Sequence, residues 1–342
     1  MLLMSPRRLL GLVLATALTV SLAACSSSGD GAGSSGAGGA GFPVTVEHVY
    51  GTTTIESKPE RVATVAWANH EVPLALGVVP VGMSKAAWGD DNGNGVLPWV
   101  EDELKRLGAP TPELFDETDG IDYEAVADTR PDVILASYSG LSKEEYDKLS
   151  KIAPVVAYPK TAWGTSWQDM VRMNSKAIGL QAEGDRLIEK LTGQVIGSLD
   201  KHPELKGRKV MFAYLDPTDL SKIGFYTTHD TRQGFLDSVG MAPPAEVAAK
   251  SAGTDEFYVE ESAEQAERFR DVDLVVTYGD DSTVARLKAD PLLSKIPAIA
   301  AGHVAILKDA TPLAAMANPS PLSIPWGIDD YFSTLAAGLT DK

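Results

Sequence analysis

Beyond Val44 the chain keeps alternating between short apolar runs rich in β-branched residues and segments with helical spacing. This alternation demands parallel strands joined by crossover helices, which restricts the fold to α/β. The first round places strands over 61–66, 78–82, 131–136 and 154–158, with helices over 69–76, 122–127 and 142–152. Asn69 is assigned as the N-cap of the first helix and Gly77 as its end. A second round places strands over 210–214, 272–278 and 303–307, with helices over 232–239, 262–269 and 326–337. Between them, 166–199 is the longest helical pattern. Trp167, Met170, Val171, Ile178, Leu187, Ile188, Leu191, Val195 and Leu199 recur at spacings that one helix face requires. Gly179, Gly184, Gly193 and Gly197 weaken the pattern, since a mid-helix glycine costs up to about 1 kcal/mol against alanine, and a kink or break is expected near Gly184. The expected fold is two α/β lobes joined by one long helix, of about 45 Å if it is continuous.

The amino terminus reads differently. Arg7 and Arg8 precede an apolar stretch from Leu9 to Leu22, which is short for a membrane span of about 20 residues. Leu22-Ala23-Ala24-Cys25 follows, and Cys25 is the only cysteine of 342 residues. The pattern is that of a bacterial lipoprotein signal, with Cys25 as the lipidation site. The organisation read from the sequence is therefore a signal peptide (1–24), a Gly/Ser/Ala tether (25–42), an N-terminal α/β lobe (43–165), a linking helix (166–200) and a C-terminal α/β lobe (201–342). The expected location is extracytoplasmic, lipid-anchored to the cell membrane. The tether contains Gly31-Ala32-Gly33-Ser34-Ser35-Gly36, a formal GxGxxG. It neither follows a strand nor opens a helix, so it lacks the geometry that cradles phosphates.

A single cysteine excludes an internal disulfide, so packed cores must supply the stability. The net charge of −17 argues against nucleic acid and anionic lipid surfaces as partners and favours solubility. His48, His70, His202, His229 and His303 are scattered, without the clustering a protein-held metal needs. No GxSxG elbow or HExxH occurs. Ser198-Leu199-Asp200-Lys201 is a formal SxxK without its companion motifs.

Several segments, in this order, carry a resemblance to a family. They include Lys58-Pro59-Glu60-Arg61-Val62, Leu76-Gly77-Val78-Val79-Pro80-Val81-Gly82 and Thr129-Arg130-Pro131-Asp132-Val133-Ile134-Leu135. Then come Ile152-Ala153-Pro154-Val155, Ser166-Trp167, Gly234-Phe235-Leu236-Asp237-Ser238-Val239-Gly240, Asp290-Pro291-Leu292 and Val304-Ala305-Ile306-Leu307. Together they resemble the ferric-siderophore-binding lipoproteins of ABC importers, the class III or helical-backbone periplasmic binding proteins. The resemblance implies two Rossmann-like lobes joined by one long backbone helix. It also implies a monomer that captures a ferric siderophore and docks onto an ABC permease dimer, touching the membrane only through its lipid. Cobalamin- and haem-binding relatives share the architecture and stay open as alternatives. So does, from another class, a lipid-anchored cell-wall enzyme.

The resemblance matches Glu71 and Glu264 to the one glutamate per lobe that docks onto permease arginines, with Glu260, Glu261 and Glu267 near enough to compete for the second assignment. The ligand should sit outside the carboxyl ends of the strands. Trp67, Trp88, Tyr138, Tyr214 and Tyr278 follow strands there, Trp163 precedes the long helix, and Tyr226 and Arg232 lie where the family's C-lobe meets its ligand. Aromatics supply contact area at low entropy cost, and Arg pairs with chelating oxygens. Iron would arrive already wrapped, so neither a cofactor nor a protein metal ligand is expected. One prominent Arg among aromatics favours a hydroxamate over a triscatecholate, unless Lys85, Lys160 and Lys222 also turn into the cleft.

Overall fold

The computed structural model describes residues 41–216 and 218–340. The signal peptide, Cys25 and almost all of the tether lie outside the described residues. In chain order the first half contains β1 (Val44–His48), β2 (Gly51–Ile55), β3 (Val62–Thr64), α1 (Glu71–Ala75), β4 (Gly82–Ser84), α2 (Pro98–Leu107), β5 (Glu113–Phe115), α3 (Tyr123–Asp128), β6 (Val133–Leu135), α4 (Lys143–Leu149) and β7 (Val155–Val156). After α5 (Trp167–Ala177) and α6 (Gln181–Leu199) come β8 (Val210–Tyr214), β9 (Lys222–Tyr226), α7 (Thr231–Ser238), α8 (Ala245–Ala252), β10 (Tyr258–Ser262), β11 (Leu274–Gly279), α9 (Thr283–Ala289), α10 (Pro297–Ala301), β12 (Val304–Lys308), α11 (Pro312–Ala315) and α12 (Ser323–Ala337).

The two five-stranded sheets repeat one topology. The first runs β5-β4-β3-β6-β7 and the second β10-β9-β8-β11-β12. Each begins at its centre, winds outward to one edge, then crosses back to fill the other side. That is the doubly wound plan, with a switch point between β3 and β6 and another between β8 and β11. All neighbours in the first sheet are parallel. In the second, β9 is antiparallel to β8 and β10, so the expectation of parallel sheets fails at this strand. The reason is local: the short link from β8 to β9 carries no helix, which permits only an antiparallel return.

The helices start where their side chains cap them. Asp122 accepts from the Ala125 N–H, and Ser142 and Glu145 form a reciprocal capping box. Asn69, expected as a cap, is instead buried below α1, whose N-cap residue is His70. The strand expected over 78–82 is displaced to Gly82–Ser84, because Pro80 has no N–H for a ladder. The segment 262–269 winds as a 3-10 helix over Ala263–Phe269. The hairpin β1–β2, the edge strands β5 and β10, and the inner strand β9 escaped the sequence reading.

The linking segment is not one helix. It breaks after Ile178, where Gly179 takes φ +72° and the Leu180 N–H bonds back to the Ser175 carbonyl, a left-handed helix stop. Gly184 lies inside α6, not at the break. Its role is contact: a Cβ there would lie 2.1 Å from Ser175 Oγ, so glycine lets α6 fold tightly against α5. α5 packs on α1 and β1, while α6 packs on α12. One buried cluster then runs through both halves, joining Val72, Leu74 and Trp99 to Ile324, Ile328 and Phe332.

Gly184→Val should therefore destabilise the protein by about 1–3 kcal/mol through overpacking. A second change, Ser175→Gly, should recover part of that loss in denaturant melts.

Candidate functional site

The carboxyl end of β3 is an unusual piece of backbone. Ala66 and Ala68 both have φ +61°, a left-handed conformation costly for a residue with a Cβ. Between them Trp67 is thrown into the space between the sheets. Two side chains hold this arch. Glu117 accepts the Ala66 N–H at 3.0 Å and the Ser84 hydroxyl at 3.1 Å. Asn69, fully buried, donates through Nδ2 to the carbonyls of Val65 (2.9 Å) and Tyr138 (2.8 Å). Its Oδ1 accepts from Ser137 Oγ, the Tyr138 N–H and Asn174 Nδ2. One amide thus ties the ends of β3 and β6 to α5 at the first switch point. The same strain recurs at Trp163, with φ +59°. Its N–H bonds to the Ser139 carbonyl, and its indole lies so close to Gly140 that a Cβ there would sit 2.3 Å from Nε1.

These devices build a cavity of about 260 Å³ lined by Trp67, Trp88, Tyr138 and Trp163 from the first half, and by Asp230, Arg232, Phe257 and Asn318 from the second. Trp163 stands edge-on to Tyr138 at 5.5 Å, and Trp88 edge-on to Tyr278 at 5.3 Å. Arg232 is the one cation among the lining residues. Nη1 donates to Asp230 at 2.8 Å, Nε donates to the Tyr278 hydroxyl at 3.0 Å, and the guanidinium lies 4.3 Å from the centre of the Tyr226 ring. Burial works against its charge, but Asp230 outweighs that, and its pKa stands well above the ordinary value. The result is a fixed, charge-balanced pair in an aromatic wall.

Five of the eight expected ligand residues, Trp67, Trp88, Tyr138, Trp163 and Arg232, therefore line one cavity. Tyr226 and Tyr278 stand beside it and orient Arg232. Tyr214 is not brought there. It is 44% exposed and lines a neighbouring cavity of about 390 Å³ together with Tyr278. Asp230, Phe257 and Asn318 were missed. Asp230 carried a readable signal as the N-cap of α7, whereas Phe257 and Asn318 lie in loops whose placement is purely tertiary. Lys85 pairs with Asp116, Lys222 with Glu260, and neither they nor Lys160 line the cavity.

Glu71 overturns its assignment. It is 0% exposed, accepting from Trp99 Nε1 at 2.8 Å, from the Leu322 N–H at 3.0 Å and from the Ser320 hydroxyl. A carboxylate with no surface cannot meet arginines of a permease. Glu264 is exposed. The SxxK pair also has a plain explanation, since Ser198 and Lys201 both bond Asp329 across to α12. Among the described residues no group of three or more His, Cys, Asp or Glu is placed to hold a metal ion, and no helix is long and apolar enough to cross a membrane.

Replacing Asn69 by Ala would strand several buried partners and should cost at least about 3 kcal/mol in denaturant unfolding. A pH effect follows from two carboxyls. Burial raises Glu71 and Glu117 to about 7, against the hydrogen bonds that favour their ionised forms. Groups raised above their unfolded values stabilise fully below those values and lose that contribution as pH climbs through the folded pKa. His70, lowered by burial to about 4, acts in the opposite direction but only below its unfolded value of 6.5. The unfolding midpoint should therefore drop as pH rises from about 4.5 through about 7, with His70 offsetting part of the drop below 6.5, and Glu117→Gln should flatten it.

Comparison with known proteins fits this geometry. Residues 62–311 match a family model described as periplasmic binding protein. The crystal structure of PiaA from Streptococcus pneumoniae TIGR4 in complex with ferrichrome is 46% identical, with a TM-score of 0.83 over 86% of this chain and 98% of that one. A curated relative, the probable siderophore-binding lipoprotein YfiY of Bacillus subtilis (strain 168), is 31% identical over 148 residues. That match spans 42% of this chain and 41% of the relative. The Fe(3+) dicitrate-binding periplasmic protein FecB of Escherichia coli (strain K12) is 24% identical over 79% of this chain and 84% of its own. The extent of the family match decides the matter: this chain belongs to the periplasmic binding proteins.

Proposed function

We propose that this protein captures a ferric siderophore of the hydroxamate class in the aromatic cleft and delivers it to an ABC permease, held at the membrane by a lipid on Cys25. The observation that carries the ligand class is the Arg232–Asp230 pair. It gives the cleft a donor for chelating oxygens but almost no net charge. A ferric triscatecholate carries about three negative charges and would meet no cluster of cations to compensate them. A neutral ferric trishydroxamate such as ferrichrome needs only apolar area and a few directed hydrogen bonds, which the tryptophans and Arg232 provide. The likeness to ferrichrome-bound PiaA supports the same class.

The repeated topology also supports a docking pair. Glu264 is the second residue after the N-cap Ser262, in the 3-10 helix that leads into β11. In the other lobe the same place belongs to Glu124, second after the N-cap Asp122, in the helix that leads into β6. Both are exposed, each at the fourth strand of its winding order. Glu124 thus replaces the buried Glu71 as partner to Glu264 in gripping permease arginines.

Titration of intrinsic tryptophan fluorescence with ferrichrome, a ferric catecholate, ferric citrate, cobalamin and haemin tests the ligand. Saturable sub-micromolar quenching by ferrichrome, with Trp67→Ala weakening it by about tenfold or more, is the expected outcome. Quenching by the catecholate, cobalamin or haemin instead would overturn the class. The double variant Glu124→Lys/Glu264→Lys should keep ferrichrome affinity and lose ferrichrome uptake in cells.

A further inference from the structure

We infer that Glu71 is a positioning residue for the cleft: it reaches from one lobe into the other and fixes Asn318 against the ligand. This rests on the cleft being the siderophore site. Glu71 opens α1, directly after the strained arch that carries Trp67, so it belongs to the β3 side of the molecule. Its partners Ser320 and Leu322 belong to the other side, in the turn that starts α12, the helix packed on α6 and β12.

The carboxylate finishes the N-terminus of α12. The N-cap residue Leu322 has no side-chain cap of its own, and its N–H is bonded by Glu71. Ser320 and Ser323 exchange hydrogen bonds across that first turn, Ser320 Oγ accepting the Ser323 N–H and Ser323 Oγ accepting the Ser320 N–H. The Ser320 hydroxyl donates to Glu71. Negative charge at this end of a fifteen-residue helix is favourable, since the unpaired N–H groups point at it. The other oxygen is held by Trp99 of α2, so the carboxylate cannot swing away.

What Glu71 holds in place matters for the ligand. Two residues before Ser320 is Asn318, which lines the cleft. The link is Asn318-Pro319-Ser320-Pro321-Leu322, and its two prolines fix φ, so displacement of Ser320 is passed to Asn318 rather than absorbed. Asn318 Oδ1 accepts from Thr231 Oγ1 at 2.5 Å and from the Tyr138 hydroxyl at 3.3 Å. Thr231 is the first residue of α7, next to Arg232. Glu71, itself out of contact with the cavity, therefore sets the junction where Tyr138 of one lobe meets Asn318 and the Arg232 helix of the other.

Glu71→Gln tests this, because the amide replaces one of the two accepting oxygens by an NH2 donor, so the Trp99 side and the Ser320–Leu322 side cannot both be satisfied. Ser320→Ala breaks the link from the other lobe more gently and serves if Glu71→Gln fails to fold. Two readouts are needed. In the ligand-free protein, amide exchange should quicken at Asn318, Ser320, Leu322 and Ser323 and also at the first turn of α7. With ferrichrome as the probe, Glu71→Gln and Asn318→Ala should each weaken binding by about tenfold, and the double variant should be little worse than either, as expected when one residue acts through the other. Additive losses, or a lowered melting temperature with unchanged ferrichrome affinity, would overturn the inference. Unchanged exchange at Thr231–Gln233 would overturn it without reference to any ligand. If the wild-type protein does not bind ferrichrome, the functional reading fails, and the exchange data still decide whether Glu71 orders the junction.

Discussion

The structure depends on the Asn69 side chain. The chain leaves β3 and β6 toward opposite sides of the sheet at the switch point, and the crevice this opens needs backbone that neither continues the sheet nor collapses into it. Asn69 supplies the missing hydrogen bonds, satisfying carbonyls from both strand ends and joining them to Asn174 on α5. With that anchor in place the chain can tolerate left-handed alanines on both sides of Trp67. The tryptophan is then presented by a stiff arch instead of a mobile loop, which lowers the entropy lost when a ligand packs on it.

The two halves use one winding plan but finish it differently. The first sheet offers tryptophans on strained turns. The second offers a guanidinium clamped by Asp230, Tyr226 and Tyr278. Facing one another, they give an apolar surface with one directional polar group, which suits a bulky chelate whose metal is already saturated. The halves also share a buried apolar cluster and the contact between Glu71 and the start of α12. Large rotation of the lobes would expose that cluster and strip a buried carboxylate of its partners, so binding should proceed with modest closure.

Much of this was legible in the sequence because it is local. Alternating strand and helix patterns gave the α/β class and two rounds of winding. The resemblance, carried by ordered short segments, supplied the family, and aromatic residues just beyond strand ends marked three of the cavity-lining positions, Trp67, Trp88 and Tyr138. The short edge strand β5 left no periodic signal, being too brief to distinguish from a loop. The break of the linking helix was expected near Gly184 and falls at Gly179 instead. Sequence shows that a glycine weakens a helix, but only packing against Ser175 shows why Gly184 is there and why Gly179 makes the turn.

The sequence by itself determined the fold class, the repeated order of elements and the residue types able to hold a ligand, since these follow from spacing and side-chain chemistry. Tertiary structure decided which of those residues meet. Glu71 and Glu124 are both acids in the first turn of a short helix, and nothing local tells them apart. Contact with Trp99, Ser320 and Leu322 removes one from water, while the other stays on the surface. Burial is a property of the neighbours a fold brings from far along the chain, and it turned an expected docking acid into an internal tie between lobes.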